Sequence, residues 1–102
     1  MNNAVILEIF VFLRTKGVVR TESDFSEDWL GYSEGYMRKL RSTKSEPSMG
    51  SVAICASRLQ KAGNEMLAVP RYRPLGEEFI AMSEKCCALV NEDAVELVLA
   101  QS

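Results

Sequence analysis

The chain has 102 residues, 47% of them hydrophobic and 25% charged, which fits one globular domain and not a disordered or fibrous chain. It has no histidine, and its three cysteines (Cys55, Cys86 and Cys87) show no Cys-x-x-Cys spacing. Ser-His-Asp and Cys-His catalysis in their usual forms, His-based metal sites and a disulfide framework are therefore excluded. The net charge of −2 is unevenly spread. From Gly35 to Arg73 eight basic residues face two acidic ones, a local +6, whereas Pro74 to Ser102 carries −5. A basic middle joined to an acidic C-terminal third suits a polyanion-binding half beside a half with another task.

In chain order, Ala4 to Arg14 predicts a first helix. Ile6, Ile9, Phe10 and Leu13 recur at helical spacing, Val5 and Val11 widen that face, Asn2 or Asn3 caps the start, and Gly17 is the stop. The run is interrupted by Glu8 and is too short to span a bilayer. No basic stretch precedes it and no small-residue cleavage site follows, so neither a targeting segment nor a membrane partner is expected. A second, short helix is capped by Thr21 or Ser23, with Glu22, Asp24 and Glu27 suiting the positive end of its dipole. Phe25, Trp29 and Leu30 form its apolar face and Gly31 ends it.

Ser33 is the expected cap of a third helix, with Tyr36, Met37 and Leu40 inward and Glu34, Arg38, Arg41 and Ser42 outward, Lys39 at the flank. Ser42 to Ser48 reads as a loop. Pro47-Ser48 opens a fourth helix with Met49, Val52, Cys55, Ala56 and Leu59 inward and Gly63-Asn64 as its end. Met66 to Pro74, with Val69-Pro70 and Arg73-Pro74, predicts extended backbone: a connector, an arm or one short strand. Gly76 to Val90 reads as a fifth helix with Phe79, Met82, Cys86 and Leu89 or Val90 inward, and Glu92 to Ala100 as a sixth. The expected division is thus 1–64, a helical core, and 65–102, a connector plus C-terminal helical extension packed on that core or forming a dimer interface.

Little in these residues supports catalysis. Glu77-Glu78 and Glu92-Asp93 sit at helix starts and complement dipoles, and the glycines around Tyr32 lack the Lys-Ser/Thr of a phosphate-binding loop. No enzyme, cofactor or metal is expected. Cys55 reads as a small apolar core residue, and one member of the Cys86-Cys87 pair faces the core. Reduced thiols imply a cytoplasmic setting.

The stretch Leu30-Gly31-Tyr32-Ser33 resembles the turn of the phage-repressor/Cro (lambda-repressor-like) helix-turn-helix family. Tyr36, Met37 and Leu40 stand at the family's apolar positions, Pro47 lies fourteen residues after Ser33, and Met49 to Leu59 carries the following rhythm. Thr43 stands where that family often has Gly, and Ser26 near a position typically held by Ala. The resemblance implies an all-α bundle of four to five helices plus C-terminal helical material, and a transcriptional regulator that binds double-stranded DNA from bacterium or phage. It implies base contacts from Glu34, Gly35, Arg38 and Lys39, and phosphate contacts from Thr21, Arg41, Ser42, Lys44 and Ser45. A homodimer through the C-terminal region, where Val95, Leu97, Val98 and Leu99 cluster, is expected on a palindromic site. The acidic overall charge favours the alternative, a helical adaptor or inhibitor that binds a protein partner.

Overall fold

A computed structural model describes residues 4–100, and the side chains of residues 4–92. Every regular element among the described residues is helical. The order is α1 (Ala4–Thr15), α2 (Glu22–Asp28), α3 (Tyr36–Thr43), α4 (Met49–Leu67), a single 3-10 turn (Pro70–Tyr72) and α5 (Arg73–Ala100).

The α1 stripe forms as its period requires: Ile6, Ile9, Phe10 and Leu13 are all buried. Val11 does not widen this face and is 59% exposed, because at 100° per residue it stands on the opposite side of the helix. Gly17 ends the helix at φ +78°, letting the Val18 N–H turn back to the Leu13 carbonyl at 2.9 Å. The expected caps Asn2 and Asn3 lie outside the described residues.

Thr21, not Ser23, caps α2: its hydroxyl accepts the Asp24 N–H at 3.1 Å, and the Asp24 carboxylate accepts the Arg20 N–H at 3.2 Å. Gly31 follows at φ +69°, where a Cβ would lie 3.1 Å from Ile54 Cδ1, so this turn needs glycine for both conformation and space.

The C-terminal half departs from expectation. Gly63-Asn64 does not end α4, which continues to Leu67. Residues 64 and 65 are consecutive positions of one helix, and the core continues past them through Phe79, Cys86 and Leu89 of α5. Gly63 serves the close crossing of α4 and α5. A Cβ there would lie 2.8 Å from Ile80 Cδ1, and a Cβ at Gly76 would lie 2.9 Å from the Gly63 carbonyl oxygen.

The segment Met66 to Pro74 is not an extended arm. Only Val69, directly before Pro70, takes extended backbone (φ −110°, ψ 114°). Pro70 then opens the 3-10 turn, where its missing N–H is harmless, and Arg73 begins α5 although Pro74 follows. The fifth and sixth expected helices are one. Nothing at Asn91-Glu92 interrupts the backbone, since neither residue is a Gly or Pro breaker. The side chains of Val95, Leu97, Val98 and Leu99 lie outside those described.

α4 and α5 form an antiparallel pair, pinned at mid-length by the buried Ser83 hydroxyl donating to the Ala56 carbonyl at 3.0 Å. Phe79 joins this pair to the N-terminal helices. Its ring meets Phe12 edge-on at 5.3 Å and Trp29 at 6.2 Å between centroids. Ion pairs Lys16–Glu78 (3.1 Å) and Lys85–Glu8 tie α1 to α5 at the surface, where such pairs add little stability.

Substituting Gly76 with alanine tests the crossing. The new Cβ meets backbone on two sides, the Gly63 oxygen at 2.9 Å and the Leu67 nitrogen at 3.0 Å, and neither yields as a flexible side chain would. Although alanine is the better helix former, overpacking prevails, and Gly76→Ala lowers stability by about 1–3 kcal/mol in urea denaturation.

Candidate functional site

The site is built on α2, α3 and the segments at either end of α3. Met37 and Leu40 are buried and fix which side of α3 faces the core. The helix begins at Tyr36, later than expected, and Ser33 is not its cap. Ser33 to Tyr36 instead forms a turn in which the Ser33 carbonyl accepts the Tyr36 N–H at 3.0 Å. Gly35 stands at the cap position and has no side chain to offer.

The missing cap comes from α2. The Ser26 hydroxyl, fully buried, accepts the Met37 N–H at 3.1 Å and donates to the Glu22 carbonyl at 2.8 Å. A hydroxyl thus satisfies one of the N–H donors of α3's first turn that have no partner within the helix. One further contact joins α3 to α2, and another ties α2 to α4. Arg41 of α3 bonds Glu22 of α2 at 2.8 Å, and the Arg58 guanidinium of α4 donates to the Glu27 and Asp28 carbonyls at 3.2 and 2.6 Å, closing the C-terminal end of α2.

With the core side fixed, Arg38, Lys39 and Ser42 form the outward face of α3, and all three are exposed. The side chains of Arg38 and Lys39 have no ion-pair partner among the described residues. Arg38 folds over Gly35, its Nη2 lying 3.3 Å from the point where a Cβ would stand. Glu34 and Gly35 fall in the turn before α3, not on its first turn. Arg41 is engaged with Glu22, and the Thr21 hydroxyl is engaged with Asp24.

The loop expected from Ser42 starts two residues later. α3 continues through Thr43, and Lys44 ends it in the left-handed region at φ 53°. A lysine thus takes the left-handed conformation that glycine would favour at the end of a helix. Thr43 donates to the Lys39 carbonyl at 2.8 Å and is 2.6 Å from the Ser45 hydroxyl, which closes the end of the helix.

Between α3 and the start of α4 lies an open groove of about 580 Å³. Its wall is a tyrosine pair, Tyr32 and Tyr36, with ring centroids 4.3 Å apart. The Tyr32 hydroxyl bonds Ser48 at 2.8 Å. The Tyr36 hydroxyl accepts the Ser48 N–H at 2.9 Å and lies 3.2 Å from the Ser51 hydroxyl. Burial alone would raise the Tyr36 pKa, but the bonds from Ser51 and Ser48 outweigh it and hold the phenol below its ordinary value of 10. Ser48 also caps α4 by accepting the Ser51 N–H at 3.1 Å, so the tyrosines are tied to the entry of that helix.

The cysteines divide as their positions on the helices dictate. Cys55 and Cys86 are buried between α4 and α5, and Cys87 is exposed. The neighbouring Cys86 thiol and burial together push the Cys55 thiol far up, which suits an unreactive core residue. Among the described residues no group of three His, Cys, Asp or Glu side chains could hold a metal, and no helix is long and apolar enough to cross a membrane.

Residues 6–99 match the model of a family of unknown function, DUF6626, and the chain belongs to that family. Comparison with curated proteins and with solved structures gives no match.

Replacing Ser26 with alanine leaves the Met37 N–H buried without an acceptor. Ser26→Ala is expected to cost about 1–3 kcal/mol in denaturant unfolding, and to raise amide hydrogen exchange at Met37 above that of α4.

Proposed function

We propose that this chain binds double-stranded DNA through the outward face of α3. In this reading α2 and α3 are the two helices of a helix-turn-helix, and residues 29–35 are its turn. The observation that carries the reading is that face itself: Arg38 and Lys39, exposed and without ion-pair partners among the described residues, on a helix whose other side is anchored by Met37, Leu40 and the Ser26 hydroxyl. The spacing of Ser33, Pro47 and Leu59, which resembles the phage-repressor pattern, supports the same reading.

An α-helix fits the major groove, where guanine offers two acceptors to a guanidinium or an ammonium. Arg38 and Lys39 supply those donors, and Glu34 in the preceding turn accepts from cytosine N4. Ser42, Lys44 and Ser45, at the end of α3, contact phosphates and set the register. Arg41 joins them by exchanging Glu22 for a phosphate, and Thr21 does so while keeping its cap. One such unit makes few contacts, so a sequence-specific regulator of transcription needs two copies on a palindromic site. We assign that pairing to the acidic C-terminal region, whose sequence carries Val95, Leu97, Val98 and Leu99.

The test is a titration of duplex DNA at several salt concentrations. Binding that is tight at low salt and falls steeply as salt rises is expected. The double variant Arg38→Ala, Lys39→Ala should abolish it while keeping the helical circular dichroism of the parent. Absence of binding by the parent chain at low salt would refute the reading.

A further inference from the structure

The groove beside α3 has features of a small-molecule site that DNA binding does not require. It is concave, its volume of about 580 Å³ falls in the usual ligand range, and it combines an aromatic wall with a few converging polar groups. We propose that it binds a small planar aromatic anion, with the ring stacked on Tyr32 and the anionic group on Lys39.

Two observations define that chemistry. First, the aromatic wall is rigid. Tyr32 is 39% exposed, one side of its ring rests on Tyr36, and its hydroxyl is fixed to Ser48 at 2.8 Å. The two rings are tilted by 38°, and a ring arriving from solvent meets the open side of Tyr32 on a surface already held in place, so little conformational freedom is lost on binding. Second, the cation is correctly placed. Lys39 lies on α3 one turn beyond Tyr36, lines the same groove and has no ion-pair partner among the described residues. The hydroxyls of Thr43 and Ser45 line the groove beside it. A nucleoside monophosphate and an amino-substituted aromatic carboxylate share these features.

Lys39 also belongs to the DNA-facing side of α3. A ligand that engages it would compete with duplex DNA, and that consequence alone rests on the DNA-binding reading. The groove's occupancy does not depend on it.

The experiment is an amide chemical-shift titration of the full chain with adenosine 5′-monophosphate and, separately, with 4-aminobenzoate. Adenosine and inorganic phosphate serve as half-ligands. At least one complete probe should shift Tyr32, Lys39 and Thr43 with a Kd of about 1 mM or tighter, and adenosine or phosphate alone should bind about tenfold more weakly. Which probe binds distinguishes a nucleotide from a simple aromatic acid. Tyr32→Leu and Lys39→Gln should each weaken binding about tenfold. Tyr32→Leu should leave duplex binding intact, because Tyr32 is outside the face that carries Arg38. The proposal is overturned if no probe shifts these residues at millimolar concentration. It is also overturned if the shifts map elsewhere, if a half-ligand binds as well as the whole, or if both variants bind like the parent. Failure here with intact DNA binding removes the ligand site alone, and loss of DNA binding with intact shifts removes only the competition.

Discussion

The start of α3 depends on one buried hydroxyl. Ser26 accepts the Met37 N–H and donates to the Glu22 carbonyl, so it links the backbone of α2 to the first turn of α3. Gly35 offers no cap and Ser33 is turned into the preceding bend, so no local residue performs this task. The burial of Met37 and Leu40 sets which side of α3 faces inward, and the Ser26 bond sets where the helix begins. Together they leave Arg38, Lys39 and Ser42 outward. The Arg41–Glu22 pair and the Arg58 cap on the α2 carbonyls support the same arrangement from the surface.

The remainder of the molecule gives that corner a rigid base. Phe79 contacts Phe12 of α1 and Trp29 beyond α2, so α5 bears on the N-terminal helices through aromatic packing. The paired glycines 63 and 76 let α4 and α5 approach backbone to backbone. Ser48 links the groove to this frame, since it caps α4 and also bonds both tyrosines that wall the groove. The two candidate surfaces, the face of α3 and the groove beside it, thus share a support and meet at Lys39.

Periodicity made the core of the N-terminal half legible in sequence. Ile6, Ile9, Phe10 and Leu13 repeat at 3.6, as do Val52, Cys55, Ala56 and Leu59, and all are buried, whereas Met49, expected on the same face at the first position of α4, is exposed. Turn chemistry located Gly17 and Gly31, both at positive φ. Longer-range features left no such signal. Gly63 was expected to stop a helix, as glycine often does, and its actual partner Gly76 is thirteen residues away and approaches only in the folded chain. Pre-proline restriction was expected to extend Met66 to Pro74, yet it governs one residue at a time, and only Val69 obeys it. The basic face of α3 was visible as charge and period, whereas the roles of Ser26 and Arg58 arise from bonds between helices and have no pattern along the chain.

The proposed DNA-binding surface is the outward face of α3, and the most direct test of that proposal is residue-level mapping of the contact. In an amide shift or cross-saturation map of the chain on a short duplex of mixed sequence, the strongest effects should fall between residues 33 and 45, with Arg38 and Lys39 foremost, and α5 should be little changed between Gly76 and Glu92. Effects centred on α5, or a uniform faint perturbation with no focus on α3, would contradict this assignment.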